Sequence, residues 1–511
     1  LIGGIVRCFY VLQSDFPLND GGMFYTMVQD LQAAHYRLPL FTSYNQGNVP
    51  FAYPPLPFFF TGWLNSWFGI DLIQLVRFLP LIFSIATIPA FYWLAKQVLA
   101  NEIQIGSATL VFALFSPVYT WQIMGGGLTR SPALLFTVLA LAAYFAWMKD
   151  QCWIHFAEVI LFTALTTLCH LEMLLMLGLS FLTLFLLKQR SWKVFGQLCL
   201  AGLVTLILTA PWWGTVIAQH GIDPFIQAFT VGKFSFLTTL ATLLSLSPVQ
   251  DLNETVFTLL GLVGAVILFC KKDWFLLVWW LVFIFFDPRS TQRSVTIPVS
   301  LLAGVSIDQG LRWLTRNLPG GKNESNRINA EAVDFKKGSL KLILTMSFVM
   351  LLFNDLVGAY TSGSLLGSLN LENRQAMQWV KENTPEKSEF LVIDHPEGWH
   401  LDMVGEWFPT LSGRMSLLTA QGLEWLPDKA QAITVGALAK VSACRMVGLT
   451  CLEEWIDQAS VPVQYIYFTQ NKNGQDKTTT FTSVVEEQMS VDPKYKLVYS
   501  NSDVRIFQML P

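Results

Sequence analysis

The sequence predicts a polytopic α-helical membrane protein that carries a soluble α/β domain at its C-terminal end, and three observations lead there. Hydrophobic residues fill 53% of the 511 positions and charged residues only 14%, whereas soluble globular domains carry roughly 25% charged residues. Apolar runs of helical length recur from the start of the chain to about residue 360, and mean hydropathy is +0.45. Beyond residue 364 these runs give way to short apolar segments set among polar residues, the pattern of strands and amphipathic helices.

The chain opens on an apolar run, Leu1 to Leu12, shorter than the ~20 helical residues that cross a hydrocarbon layer. This first helix reads as truncated, with N-terminal residues missing from the sequence. A polar stretch over 13–52 follows as a first outer loop. Apolar runs then lie near 53–69, 72–94, 103–121, 131–148, 152–169, 171–187, 195–216, 252–270, 274–286, 294–311 and 340–360. The run Tyr53 to Gly69 opens on Tyr53-Pro54-Pro55-Leu56-Pro57 and is rich in Trp and Phe, which suits a helix lying in the plane of the membrane surface.

With that helix in plane and the first helix running outward, five basic loops fall on one side: Lys96, Lys149, Lys188 with Arg190 and Lys193, Lys271 with Lys272, and Arg312 to Lys337. The positive-inside rule makes that side the cytoplasm. The expectation is about 11 spanning helices plus the in-plane helix over 1–364, a cytoplasmic loop over 313–339, and an extracytoplasmic α/β domain over 365–511. Such a chain belongs in a plasma membrane, of prokaryotic type. In the C-terminal domain, Glu372 to Glu382 has helical periodicity, and Phe390 to Ile393, Val463 to Phe468, Lys496 to Tyr499 and Val504 to Met509 read as strands.

The net charge of -3 and the lack of a concentrated basic field exclude nucleic acid as a partner. Five of the seven cysteines lie in or beside apolar runs, where a thiol behaves as a small hydrophobe. Cys444 and Cys451, in the soluble region, are either a disulfide or two buried thiols.

The charges that break the positive-inside pattern gather, on this topology, at the outer face. Asp15 and Asp20 lie in the first outer loop, Arg130 follows Gly125-Gly126-Gly127, His170 and Glu172 sit in a turn between two helices, and Asp287, Arg289 and Arg293 lie between two later ones. Each also has a plainer reading: Asp20 as the cap of the next helix, the arginines as interfacial anchors, His170 with Glu172 as a polar pair, Tyr53 as an interface anchor. Arg77, inside a span, is costly there and has Asp71 or Asp20 as prospective partners. A carboxylate facing arginines at a membrane surface suits sugar transfer from a polyprenyl phosphate, the acid taking the acceptor's proton or orienting the acceptor and the guanidinium groups holding phosphate.

Several motifs in order resemble the GT-C class of integral membrane glycosyltransferases, which includes protein mannosyltransferases, oligosaccharyltransferases and the aminoarabinose transferase of lipid A. Asn19-Asp20-Gly21-Gly22-Met23-Phe24-Tyr25 is placed like the acidic motif of that class's first outer loop. Tyr53-Pro54-Pro55-Leu56, Val76-Arg77-Phe78-Leu79-Pro80, and Asp287-Pro288-Arg289 before Pro298 and Leu301-Leu302-Ala303-Gly304 are similar to later elements. Glu406-Trp407-Phe408-Pro409, Ser412-Gly413-Arg414 and Gly422-Leu423-Glu424-Trp425 look like the outer domain of prokaryotic members, though these Trp-rich segments read foremost as core.

The resemblance implies a hexosyl or pentosyl transferase with Asp20 as the catalytic carboxylate and Arg130, Arg289 and Arg293 binding donor phosphate. Tyr53, Arg77, His170 and Glu172 would line the cavity or meet the acceptor. The implied partners are a polyprenyl-phosphate sugar donor, a glycan, lipid or protein acceptor, and membrane lipids, with membership of a membrane complex left open. Asp20 stands between Asn19 and Gly21 without a second acid, so no cofactor is certain and a divalent metal stays open. Two other classes compete: a transporter or flippase of a lipid-linked substrate, and a catalytically silent GT-C-like structural subunit. The topology is checked by labelling single cysteines on intact cells: a probe at Asn473 is expected to react and one at Asn323 to stay protected.

Overall fold

The computed structural model describes residues 1–230, 252–286, 291–317, 345–346, 349–354, 356–357, 366–394, 398–469 and 483–510. Five helices among these are long and apolar enough to cross a membrane: Leu72–Val98, Gly127–Asp150, Leu171–Lys188, Trp192–His220 and Asn253–Cys270. Of the other expected spans, Ile2–Leu12, Glu102–Leu114, Trp153–Cys169 and Phe275–Phe286 form shorter apolar helices. Thr296–Asn317 is a longer helix that carries Asp308 and Arg312. The run 340–360 and the loop 313–339 fall mostly outside the described residues.

Local chemistry sets the helix ends. The Asp71 side chain accepts from Gln74 N, and Asn101 from Ile103 N and Gln104 N, so both satisfy first-turn donors that have no partner within the helix. The in-plane candidate forms helix Leu56–Phe68, closed by Gly69 at φ 65°, where a Cβ would be strained. It buries Phe58 and Thr61 and exposes Trp67 and Phe68.

Helix Gly127–Asp150 is the centre of the bundle, with 78% of its most apolar window inside the protein. Phe91 and Phe112 stack at 4.0 Å between the helices Leu72–Val98 and Glu102–Leu114. Arg7, fully buried in the first helix, donates to Ser84 O, Ser84 Oγ and Thr87 Oγ1 and lies 5.3 Å from the centre of the Tyr119 ring. These contacts fall one turn before Pro89, which removes a helix donor. At the end of the bundle that carries the basic residues, Lys149 Nζ donates to Gln97 Oε1 and Asp308 accepts from Gln104, Asn101 and Arg312.

The run expected over 103–121 is not one helix. Pro117 has no N–H to give Ala113 O and its ring would clash with that carbonyl in a continuous helix, and the helix stops at Leu114 with Phe115 extended, followed by a single turn over Ser116–Tyr119 that carries Pro117 in its first turn. The chain then loops to Gly127, which starts the next helix four residues earlier than the apolar run suggests.

The C-terminal domain is built on a five-stranded sheet of order β2-β1-β3-β5-β4, made of β1 Glu389–Ile393, β2 Met415–Ser416, β3 Tyr465–Thr469, β4 Tyr495–Ser500 and β5 Val504–Met509. β1 runs parallel to β2 and β3, while β5 is antiparallel to β3 and β4. Side chains alternate between the two faces of a strand. Phe390 and Val392 therefore join a core with Trp407, Phe408, Phe24 and Leu79, whereas Leu391 and Ile393 pack with Leu438, Val441 and Leu452. The first of these cores runs without interruption from the bundle into the domain. The Trp-rich segments are core as expected, Trp407 and Phe408 being fully buried.

Cys444 and Cys451 form a disulfide with Cα atoms 5.4 Å apart, between the helices Ala430–Val447 and Leu449–Ala459. Closing so short a loop stabilises by roughly 2–3 kcal/mol on chain-entropy grounds. Thermal unfolding of a Cys444→Ser, Cys451→Ser double variant is expected at a lower temperature than the parent, and reductant is expected to lower the parent's transition but not the variant's.

Candidate active site

The site is built where the loop between the first two helices meets the start of helix Gly127–Asp150. Leu18 O accepts from Gly125 N at 2.9 Å, which draws two backbones together. A Cβ at Gly125 would overlap Asp20 O, and one at Gly126 would overlap the Asp20 carboxylate and stand 2.7 Å from an Arg130 nitrogen. A Cβ at Gly127 would overlap Gln122 O. The three glycines are thus needed for close approach rather than for flexibility.

Asp20 does not cap its own helix. The N-cap of Gly22–Ala33 is Gly21, at φ 120°, and this turn sends the carboxylate the other way. Asp20 Oδ1 accepts from Gly126 N at 2.6 Å, and Oδ2 pairs with Arg130 Nη2 at 2.9 Å. A negative charge is favoured at a helix N-terminus, and here it also offsets the Arg130 cation in that helix's first turn. Both side chains remain 13% exposed, so solvent reaches the pair.

Arg130 Nε donates to Trp121 O at 3.0 Å, and its guanidinium lies 5.7 Å from the centre of the Trp121 ring. Arg293 approaches the same indole, at 5.9 Å, and pairs with Glu172 at 3.1 Å. Tyr53 and Glu172 both lie within electrostatic reach of Arg130. Tyr53 Oη sits 3.4 Å from His170 Nε2, and its ring packs against Phe24 and Trp425. The structure therefore brings together Asp20, Arg130, Arg293, Glu172, Tyr53 and His170. Glu172 and His170 have separate partners instead of forming a pair with each other.

One candidate falls elsewhere. Arg77 bonds neither Asp71 nor Asp20; it donates to Val11 O and Gln74 Oε1 and stacks on Phe78, tying the end of the first helix to the second long one. Its length lets the head reach a free carbonyl at a helix C-terminus. Arg289 lies outside the described residues. Among the described residues no group of three or more His, Cys, Asp or Glu is arranged to hold a metal ion, and both site carboxylates engage arginine.

Three site residues escape sequence reading. Trp121 sits at the end of an apolar run and carries no signal beyond its aromaticity. His400 of the C-terminal domain places its ring 6.0 Å from Trp121, and partial burial lowers its pKa. Glu406, 9% exposed, accepts from Gly21 N at 2.7 Å and Gly22 N at 3.1 Å. Burial, then the charge of Asp20, pushes the Glu406 carboxyl well above the ordinary carboxylate range, towards its protonated form. The glycine step gives a direct check. Gly126→Ala is expected to displace Asp20 and destabilise the chain by about 1–3 kcal/mol in thermal or denaturant unfolding, whereas Gly178→Ala, with open space around its Cβ, is expected to be neutral or stabilising.

No family model and no curated protein matches the sequence; solved structures do. The chain is similar to the archaeal oligosaccharyltransferase AglB of Archaeoglobus fulgidus, in complex with an inhibitory peptide and a dolichol-phosphate, with a TM-score of 0.55 and 12% identity over 92% of this chain and 69% of that one. ArnT of Cupriavidus metallidurans, bound to undecaprenyl phosphate, aligns with a TM-score of 0.53 and 12% identity over 99% of this chain and 96% of that one. The mycobacterial arabinofuranosyltransferase AftD aligns with a TM-score of 0.52 and 13% identity, over 99% of this chain and 41% of that one. All three are GT-C glycosyltransferases, and the chain has their polytopic membrane fold.

Proposed function

We propose that this protein is a membrane glycosyltransferase that moves a hexose or pentose from a polyprenyl-phosphate donor to a glycan, lipid or protein acceptor at the outer face of the plasma membrane. The observation that carries the reading is the meeting of Asp20, Arg130, Glu172 and Arg293 around Trp121 from four separate parts of the chain. Interfacial anchoring does not account for this, since anchors need water and lipid but not one another. Support for the donor class comes from the GT-C fold and from the dolichol-phosphate and undecaprenyl phosphate held by two structural neighbours.

In the reaction, an acceptor O–H or N–H attacks the anomeric carbon while the bond from that carbon to the phosphate oxygen breaks. The leaving polyprenyl phosphate keeps the bonding pair, and the acceptor's proton passes to Asp20. A phosphate that draws Arg130 to itself loosens the Asp20–Arg130 pair and leaves Asp20 on Gly126 N, so donor binding frees the carboxylate to meet the acceptor. Arg293, and Arg289 on the same segment, would complete the clamp, with Glu172 held in competition for Arg293. Guanidinium groups suit this work because they bind phosphate bidentately and neutralise charge on the leaving group.

Turnover in native membranes, followed as polyprenyl phosphate released from synthetic undecaprenyl-phosphate hexoses and pentoses, tests the roles. Asp20→Asn is expected to lower turnover by about 10²–10⁴-fold while donor binding is kept or tightened, because a competitor for Arg130 is gone. Arg130→Ala and Arg293→Ala are expected to weaken donor binding as well as rate. Full turnover by Asp20→Asn would overturn the mechanism.

A further inference from the structure

Glu406 belongs to the helix Met403–Ser412 of the C-terminal domain, yet its carboxyl group is spent on the loop between the first two helices. Oε1 accepts from the N–H groups of Gly21 and Gly22, the two residues directly after Asp20. These donors stand at the start of helix Gly22–Ala33 and have no partner within it. Gly21 has no side chain with which to cap them, and Glu406 does so from the other domain.

The same stretch is gripped on all sides. Trp407 Nε1 donates to Asn19 O at 3.0 Å, Thr410 Oγ1 to Gly22 O at 2.8 Å, and Asn19 N to Gly367 O at 2.7 Å. A Cβ on Gly22 would stand 2.8 Å from Glu406 O. Tyr44 Oη also donates to that oxygen, at 2.7 Å. Within this grip the backbone takes positive φ, 53° at Asn19 and 120° at Gly21, values open to asparagine and glycine but costly for other residues. Such a turn persists where its surroundings hold it, and it is this turn that aims Asp20 at Gly126 and Arg130.

We propose that Glu406 is a positioning residue for Asp20: by binding the Gly21 and Gly22 N–H groups it fixes the turn that presents the Asp20 carboxylate, which makes the C-terminal domain a working part of the transfer site. The proposal rests on the reading of Asp20 as the reacting carboxylate. Its chemical basis is the acceptor oxygen, which glutamine shares and alanine or methionine lacks. Without that oxygen two buried donors are unsatisfied and the turn relaxes, carrying Asp20 with it.

The test uses the full chain in native membranes and the same undecaprenyl-phosphate sugars. Glu406→Ala is expected to lower kcat by about 10²-fold, the loss typical of misplacing a reacting group by about 1 Å, with the donor KM little changed. Glu406→Gln is expected to recover most of the rate. In an Asp20→Asn background Glu406→Ala is expected to cost nothing further, since there is no reacting carboxylate left to misplace. Amide hydrogen exchange at Gly21 and Gly22 is expected to quicken in Glu406→Ala and not in Glu406→Gln. Should the alanine variant fail to fold, Glu406→Met, which fills the volume without accepting, replaces it. An unimpaired alanine or methionine variant beside an impaired Asp20→Asn would overturn the positioning role alone, as would an equal loss in the Asp20→Asn background. Full turnover by Asp20→Asn would instead overturn the reading on which it rests.

Discussion

The structure depends on one close approach: the turn Leu18 to Gly22 pressed against the glycine step Gly125 to Gly127. Leu18 O takes the Gly125 N–H, Asp20 takes the Gly126 N–H, and there is no room for a Cβ at any of the three glycines. Because the turn is fixed there, helix Gly22–Ala33 starts in a set direction and carries Phe24, Met27 and Leu31 into the core that it shares with Trp407 and Phe408. Packing at that core is what a domain junction of this kind needs in order to be rigid. The site and the junction are therefore one construction, and the site cannot loosen without loosening the junction.

Charge is handled by pairing. Asp20 with Arg130 and Glu172 with Arg293 make two neutral couples beside one indole, where unpaired charges would be expensive to desolvate. The partial exposure of all four side chains keeps them reachable. On the proposed function, an anionic donor would exchange carboxylate for phosphate on each arginine and so gain its contacts against an internal competitor. The indole adds a surface along which a guanidinium can shift while keeping its cation–π contact.

The two ends of the helix Gly127–Asp150 have opposite characters. Its first turn holds Arg130 against Asp20 and Gly126, whereas its last holds Lys149 in a hydrogen bond to Gln97. Lys188, at the end of another span, lies 5.0 Å from the Phe275 ring centre, and Asp308 gathers Gln104, Asn101 and Arg312. At the basic end, cations close helix C-termini in agreement with the helix dipole. At the other, a backbone N–H group and an arginine share one carboxylate, that of Asp20.

Composition, hydrophobic period and prolines determined most of the secondary structure by themselves, because each acts over a few residues. Apolar runs became helices at nearly every expected place, and Phe390 to Ile393 and Val504 to Met509 became strands. The acids and arginines at helix ends stood out as well, since each is costly in an apolar chain. What the sequence left open are the pairings. Met415–Ser416 is a strand only because β1 offers it parallel partners, and two residues show no period. Arg77 looked for an acid and found Val11 O, a choice set by where the first helix ends in space. Glu406 read as part of a Trp-rich core segment, and nothing local says that it reaches a turn 385 residues away. Hydrogen bonds between backbone donors and distant side chains carry no sequence pattern, because any backbone offers the same N–H; only the tertiary structure decides which of them a given carboxylate meets.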